Sequence, residues 1–161
     1  MPDRVCVDAN IVLKLVLPEE DSHLALALWR HWKSSGTAVV VPGIYAYEGP
    51  SIVRKWVHRG WLTEEEGEEA YRNVLAQPVT VLEPEGLLGR AWEFARRFDQ
   101  PQVYDSTYLA LADLLGCEFW TADERLHRVV QAELPWVRLL AEGKERRGWK
   151  PRAERAKPLQ G

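Results

Sequence analysis

Cysteine, methionine and long apolar runs are nearly missing from this chain. Cysteine occurs twice, as Cys6 and Cys117, with no CxxC pair and no Cys/His zinc spacing. The common structural zinc modules are therefore not expected. Both thiols fall in strand-like apolar runs. A pairing of the two is open, but two buried thiols in a reducing cytoplasm are the expectation. Apolar runs such as "IVLKLVL" are short and interrupted by charge, so no segment is expected to span a membrane. The start, with Asp3 and Arg4 ahead of a strand, lacks signal-peptide architecture. The four histidines, His23, His31, His58 and His127, lie in charged or amphipathic helical segments, and no serine sits in a nucleophile turn. Ser–His–Asp catalysis thus lacks its parts.

What is present describes one domain. The 161 residues are 46% hydrophobic and 28% charged, enough for a real core. The net charge of −3 hides an asymmetry. Residues 1–142 carry 14 Lys/Arg against 22 Asp/Glu, whereas residues 143–161 carry seven against two. The sequence therefore predicts a globular unit over 1–142 and a basic C-terminal tail over 143–161 that the fold does not need. An acidic body does not grip nucleic acid by bulk charge alone. Arginine outnumbers lysine by 15 to 6, a composition seen in heat-adapted proteins. Of the eight tryptophans, roughly half to two-thirds are expected in the core. The others, among them Trp29 with Trp32 and Trp56 with Trp61, are candidates for interface anchors.

The elements alternate along the chain. "RVCVD", "TAVVVP", "PVTVLEP", "CEFWTAD" and "PWVRLL" read as strands. "DSHLALALWRHWKSSG", "GIYAYEGPSIVRKWVHRG", "EEEGEEAYRNVLA", "EGLLGRAWEFARRF", "YDSTYLALADLLG" and "DERLHRVV" read as helices. Asp21 or Ser22 is expected to cap the first of these helices, and Thr63 to Glu66 forms a capping box. The pattern predicts an α/β fold: a central, mostly parallel sheet of about five strands, covered on both faces by helices in three layers. Ligands of such sheets bind beyond the carboxyl ends of the strands, where strand order switches.

Four acids fall near such places. Asp8 ends the first strand, Asp123 ends "EFWTAD", Asp105 opens a helix, and Glu48 lies in the helix after "VVVP". Each alone has a structural explanation. Asp105 and Asp123 could be helix caps, Asp8 could close an Asx-turn, and Glu48 could be solvated. Together they argue for more. Tyr45 and Ile52 share the face of Glu48, which suggests partial burial. Carboxylates that converge repel one another, and a divalent cation removes the penalty. All-oxygen ligation suits Mg²⁺ or Mn²⁺, and the absence of histidine disfavours zinc.

The motifs "VDANIVLK", "VVVPGIYAYEGPSIVRK", "YDSTYLALA" and "FWTADERL", in this order, resemble PIN-domain ribonucleases. The likeness is greatest to the VapC-type toxins of bacterial and archaeal toxin–antitoxin pairs, and it covers about Val5 to Leu140. It implies a PIN-like fold and a metal-dependent ribonuclease. It makes Asp8, Glu48, Asp105 and Asp123 the catalytic, metal-binding acids, with Asn10, Thr121 and Ser51 in support. It also implies an RNA substrate, a small antitoxin partner, and a homodimer built partly from the helices between Gly43 and Ala76. Two features depart from the family pattern. Ser51 stands where many relatives have asparagine. Gly49 and Pro50 follow Glu48 directly, so the helix either begins near Glu48 or bends. Two rivals remain at this stage. One is a phosphatase with an aspartate nucleophile, though its usual second acid is here Asn10, which cannot transfer a proton. The other is an RNA-binding or assembly module that keeps the fold without the chemistry.

Overall fold

A computed structural model describes residues 3–140. The expectation for the tail over 143–161 lies outside the described residues. Five strands form one sheet: β1 (Arg4–Val7), β2 (Ala38–Val41), β3 (Thr80–Val81), β4 (Glu118–Thr121) and β5 (Val137–Leu139). Seven helices accompany them: α1 (Ala9–Val16), α2 (Ser22–Ser35), α3 (Tyr45–His58), α4 (Glu64–Leu75), α5 (Leu87–Arg97), α6 (Tyr104–Leu115) and α7 (Glu124–Val130). The strand order is β3-β2-β1-β4-β5 and every pairing is parallel. Parallel strands need crossovers, and the alternating helices supply them. The result is the three-layer α/β/α sandwich expected from the sequence.

The order fixes where a ligand could sit. The chain runs from β1 outward through β2 to β3, then returns to lay β4 and β5 on the other side of β1. The switch point therefore lies between β1 and β4, whose register pairs Cys6 with Phe119 and Val7 with Trp120. One residue beyond, Asp8 N–H donates to the Trp120 carbonyl at 2.9 Å.

Burial explains the central elements. Val5, Cys6 and Val7 of β1 and Val39, Val40 and Val41 of β2 are all buried. That suits strands covered on both faces. α6 is buried nearly all round, with Ser106 and Tyr108 to Ala112 inaccessible. It packs on β1, β4 and α5. A second, smaller apolar cluster joins Leu13 of α1, Val53 of α3, and Ala70 and Val74 of α4, with Leu62 between.

Several local expectations change. The sequence pattern assigns no element to residues 9–16, where the structure has α1. Asp8 accepts a hydrogen bond from Asn10 N–H and caps this helix directly, with no loop between. Asp21 occupies the cap position of α2 without a side-chain capping bond. Its carboxylate instead lies 2.9 Å from Lys14 Nζ, a buried cation that also meets Glu19 at 3.0 Å. Ser22 does not cap either; its hydroxyl accepts from Glu19 N–H and donates to the Leu17 carbonyl. The capping box of Thr63 and Glu66 forms as expected. α3 begins at Tyr45, ahead of Glu48, and Pro50 lies inside it beyond the first turn.

Gly49 gains a reason from the packing. A Cβ there would stand 2.9 Å from Val74 Cγ1, and one at Gly67 of α4 would overlap Val57 Cγ2. The two glycines let α3 and α4 approach closely.

Candidate active site

The ends of β1 and β4 bring the first two acids together. Asp8 is buried, and its Oδ2 accepts a hydrogen bond from Thr121 Oγ1 at 2.9 Å. The Thr121 hydroxyl also accepts, from Asp123 N–H at 3.0 Å and from Asn10 Nδ2 at 3.4 Å. With one donated and two accepted bonds, its capacity is filled. Asn10 Oδ1 takes the Ala122 N–H at 3.1 Å. Residues 8–10 and 121–123 are thus laced across the switch point. Asn10 meets Asp8 through its backbone N–H, whereas its side chain holds Thr121 and Ala122. Asp123 caps α7 through Oδ1 and Leu126 N–H, so that structural role is real.

The other two acids come from helix starts. Asp105 is the second residue of α6, inside the first turn rather than at its cap, and the helix has no side-chain cap. Among the described residues its carboxylate makes no hydrogen bond or ion pair. Glu48 is half-buried on α3, and its Oε2 accepts from Tyr108 Oη at 3.1 Å. Nothing in the sequence singles out Tyr108. Sixty positions separate it from Glu48, so no local pattern could have paired them. Ser51 is exposed and lines a cleft with Tyr47, Arg54, Lys55, His58, Tyr71 and Leu75. Among the described residues no hydrogen bond joins Ser51 to an acid.

Charge links Asp8, Glu48 and Asp105 to one another, and Asp105 to Asp123. Burial pushes the Asp8 carboxyl up to about 8, helped by the charges of Glu48 and Asp105 and opposed by the Thr121 and Asn10 hydrogen bonds. Burial pushes Glu48 up to about 7; its Tyr108 hydrogen bond pulls the other way, and the Asp105 charge adds to the rise. Asp105 is raised by burial and then by Asp123. No Lys or Arg among the described residues pairs with any of the four. Nor do three such side chains close on a common point at ligand distance among those residues. The site is therefore a set of oxygen donors near one another with no cationic partner among the described residues. Its charges repel one another until protons or a cation arrive.

Comparison with known proteins fits this geometry. Residues 5–132 match the PIN domain family. The chain is 30% identical over 131 residues to a VapC ribonuclease of Mycobacterium bovis, covering 81% of this chain and 94% of that protein. It is 29% identical over 127 residues to ribonuclease VapC3 of Mycobacterium tuberculosis, covering 79% and 88%. In fold it is similar to the crystal structure of Mycobacterium tuberculosis VapC20, a Sarcin-Ricin loop cleaving toxin. The TM-score is 0.57 at 19% identity, over 80% of this chain and 95% of that one. With the acids gathered at the switch point and the match spanning nearly the whole described fold, the chain belongs to the PIN-domain family, within its VapC group.

Proposed function

We propose that the protein is a divalent-metal-dependent endoribonuclease that hydrolyses RNA phosphodiester bonds as the toxin of a toxin–antitoxin pair. The observation that carries this reading is the placement of Asp8, Asp123, Asp105 and Glu48 at the strand ends and helix starts around the switch point, with no cationic side chain paired to them among the described residues. Uncompensated carboxylates repel phosphate, so a site for RNA made of them needs positive charge from outside. The donor set is all oxygen, which fits Mg²⁺ or Mn²⁺ and not zinc. The named relatives, both ribonucleases, support the activity.

Asp8, Glu48 and Asp105 would hold the ion, and Asp123 would hold a second ion or orient the attacking water. When bound, the metal supplies charge against the scissile phosphate and acidifies that water. Thr121 holds Asp8 Oδ2 and the Asn10 N–H holds its Oδ1, each through one hydrogen bond that leaves a further lone pair for ligation. Asn10 keeps the two chain segments in register. This disfavours the phosphatase reading, because both polar atoms of the Asn10 side chain are already engaged.

The partners in this reading are an RNA substrate, a small antitoxin and a second copy of the chain, all in the cytoplasm. Tyr47, Tyr71 and Leu75 on α3 and α4 are large and exposed, which supports a dimer surface within residues 43–76. Sedimentation as a monomer at micromolar concentration would count against it. The central test is Mn²⁺-dependent cleavage of a labelled RNA. Cleavage lost on chelation and restored by Mn²⁺ is the expected result; cleavage unchanged by chelation would refute the metal centre.

A further inference from the structure

We infer that Tyr108 is the positioning residue for Glu48, and that this one phenol sets how the site closes on its cation. The inference rests on reading the site as a divalent-cation centre. It begins with the weakness of the local backbone. Glu48 is followed by Gly49 and Pro50, and Pro50 cannot donate to the Ala46 carbonyl, the usual helical partner four residues back. The glutamate side chain must also be held against the freedom of its own rotatable bonds.

α3 is held mainly by α4 and α1, through the smaller apolar cluster. The other acids belong to the sheet ends and α6. Glu48 therefore needs a link to that second body. Tyr108 provides it. Its hydroxyl donates to Glu48 Oε2 at 3.1 Å, the only side-chain hydrogen bond between α3 and α6 among the described residues. The phenol itself is fixed. It is 0% exposed, and its ring stacks on Phe119 of β4 at 5.6 Å between centroids, with 26° between the planes.

Tyr108 also stands three residues after Asp105, so one helix carries both an acid of the site and the clamp on its neighbour. Burial, with the nearby charges of Asp8 and Glu48, drives the phenol far above its ordinary range, so it stays a donor. Glu48 Oε1 has no hydrogen bond among the described residues and remains available for ligation. Tyr108 thus engages one glutamate oxygen and presents the other.

The test is Tyr108→Phe, which keeps the ring and removes the hydroxyl. Mn²⁺ alone is titrated into the whole protein, and free Mn²⁺ is followed by electron paramagnetic resonance, with thermal melts alongside. Affinity is expected to fall about tenfold, the usual loss when a hydrogen bond to a metal ligand is removed. In RNA cleavage the loss should fall on kcat, with KM for RNA little changed. On a Glu48→Gln background the same change should add almost nothing, because both act through one carboxylate. A folded Tyr108→Phe protein with Mn²⁺ affinity within about twofold of the original would overturn the inference, and so would full additivity with Glu48→Gln. Failure of the unaltered protein to bind Mn²⁺ would overturn this inference and the metal-centre reading together. Normal binding with an indifferent Tyr108→Phe would remove this inference only.

Discussion

The two sides of the acidic site are built differently. At the sheet ends, Asp8 and Asp123 hang from a web in which Thr121 makes three hydrogen bonds and Asn10 bridges to Ala122. On the helical side, Glu48 depends on one bond from Tyr108 and on an α3 packed mainly against α4 and α1. The first side inherits its geometry from the backbone of parallel strands. The second is set by how closely two helices pack. The carboxylates are thus held on one side by a hydrogen-bonded wall at the strand ends and on the other by an adjustable wall of packed helices.

The largest expected effect tests whether the walls serve one site. Asp105→Asn and Asp8→Asn should each lower Mn²⁺-dependent RNA cleavage by orders of magnitude with the fold retained. Combining them should cost little more. Melts run beside the cleavage assay separate this from unfolding. Full activity in a folded Asp105→Asn protein would remove that residue from the site. Its carboxylate is not a helix cap, so a purely structural loss is not expected there.

Next comes the hydrogen-bonded wall itself. Thr121→Val keeps the shape but strips partners from Asp8, Asn10 and the Asp123 N–H together. Chemical denaturation should show a loss of about 2–3 kcal/mol, against about 1 kcal/mol for Tyr108→Phe. Equal losses at the two positions would erase the contrast between the walls.

The adjustable wall is probed from behind. Gly67→Ala puts a methyl group against Val57 and should cost about 1–2 kcal/mol, after the gain in helix propensity is set against the overlap. Gly49→Ala meets Val74 at a longer distance and should cost less. Because α3 carries Glu48, the Gly67 change should weaken Mn²⁺ binding, measured by titration. A loss of stability with Mn²⁺ binding untouched would show that the packing does not set the position of Glu48.

The last contrast is in pH dependence. Asp8 and Glu48 have folded pKa values of about 8 and about 7, against 3.8 and 4.5 for the free groups. Between those limits the folded protein holds protons that the unfolded chain has lost. The metal-free protein is therefore stabilised on the acidic side, and it loses that stability as pH rises through 7 to 8. Its melting temperature at pH 6 should exceed that at pH 8.5, and Mn²⁺ should raise the melt more at the higher pH. Scanning calorimetry with and without the ion checks both signs.

Much of this arrangement was legible in the sequence, and the exceptions have physical causes. "AVVV" declares a doubly covered strand, and "TEEE" a capping box, because both signals are local. The four acids could be picked out because strand ends and helix starts are readable. α1 was hidden because Asp8 ends β1 and caps the helix at once, so no Gly or Pro marks the change. In addition, Ala9 and Ile11 to Lys14 are all buried, which leaves little polar period to count. "PVTVLEP" overstated its strand, since only Thr80 and Val81 pair, with β2 alone. The Asp21 cap failed because Lys14, seven residues earlier, claims its carboxylate. Tyr108 escapes a sequence reading because its partner Glu48 lies 60 positions away on another helix.

The central position of β1 has a consequence in time. During synthesis the chain makes Asp8 almost at once, but the hydroxyl that holds it belongs to a residue 113 positions later. β1 can pair with β2 early, yet its other edge waits for β4. Contacts this distant in sequence form late, because closing the intervening chain is entropically costly. A nascent or truncated chain that stops short of Thr121 cannot assemble the site, whatever its helices do. The Asp8–Thr121 contact therefore belongs to the last part of the fold to assemble.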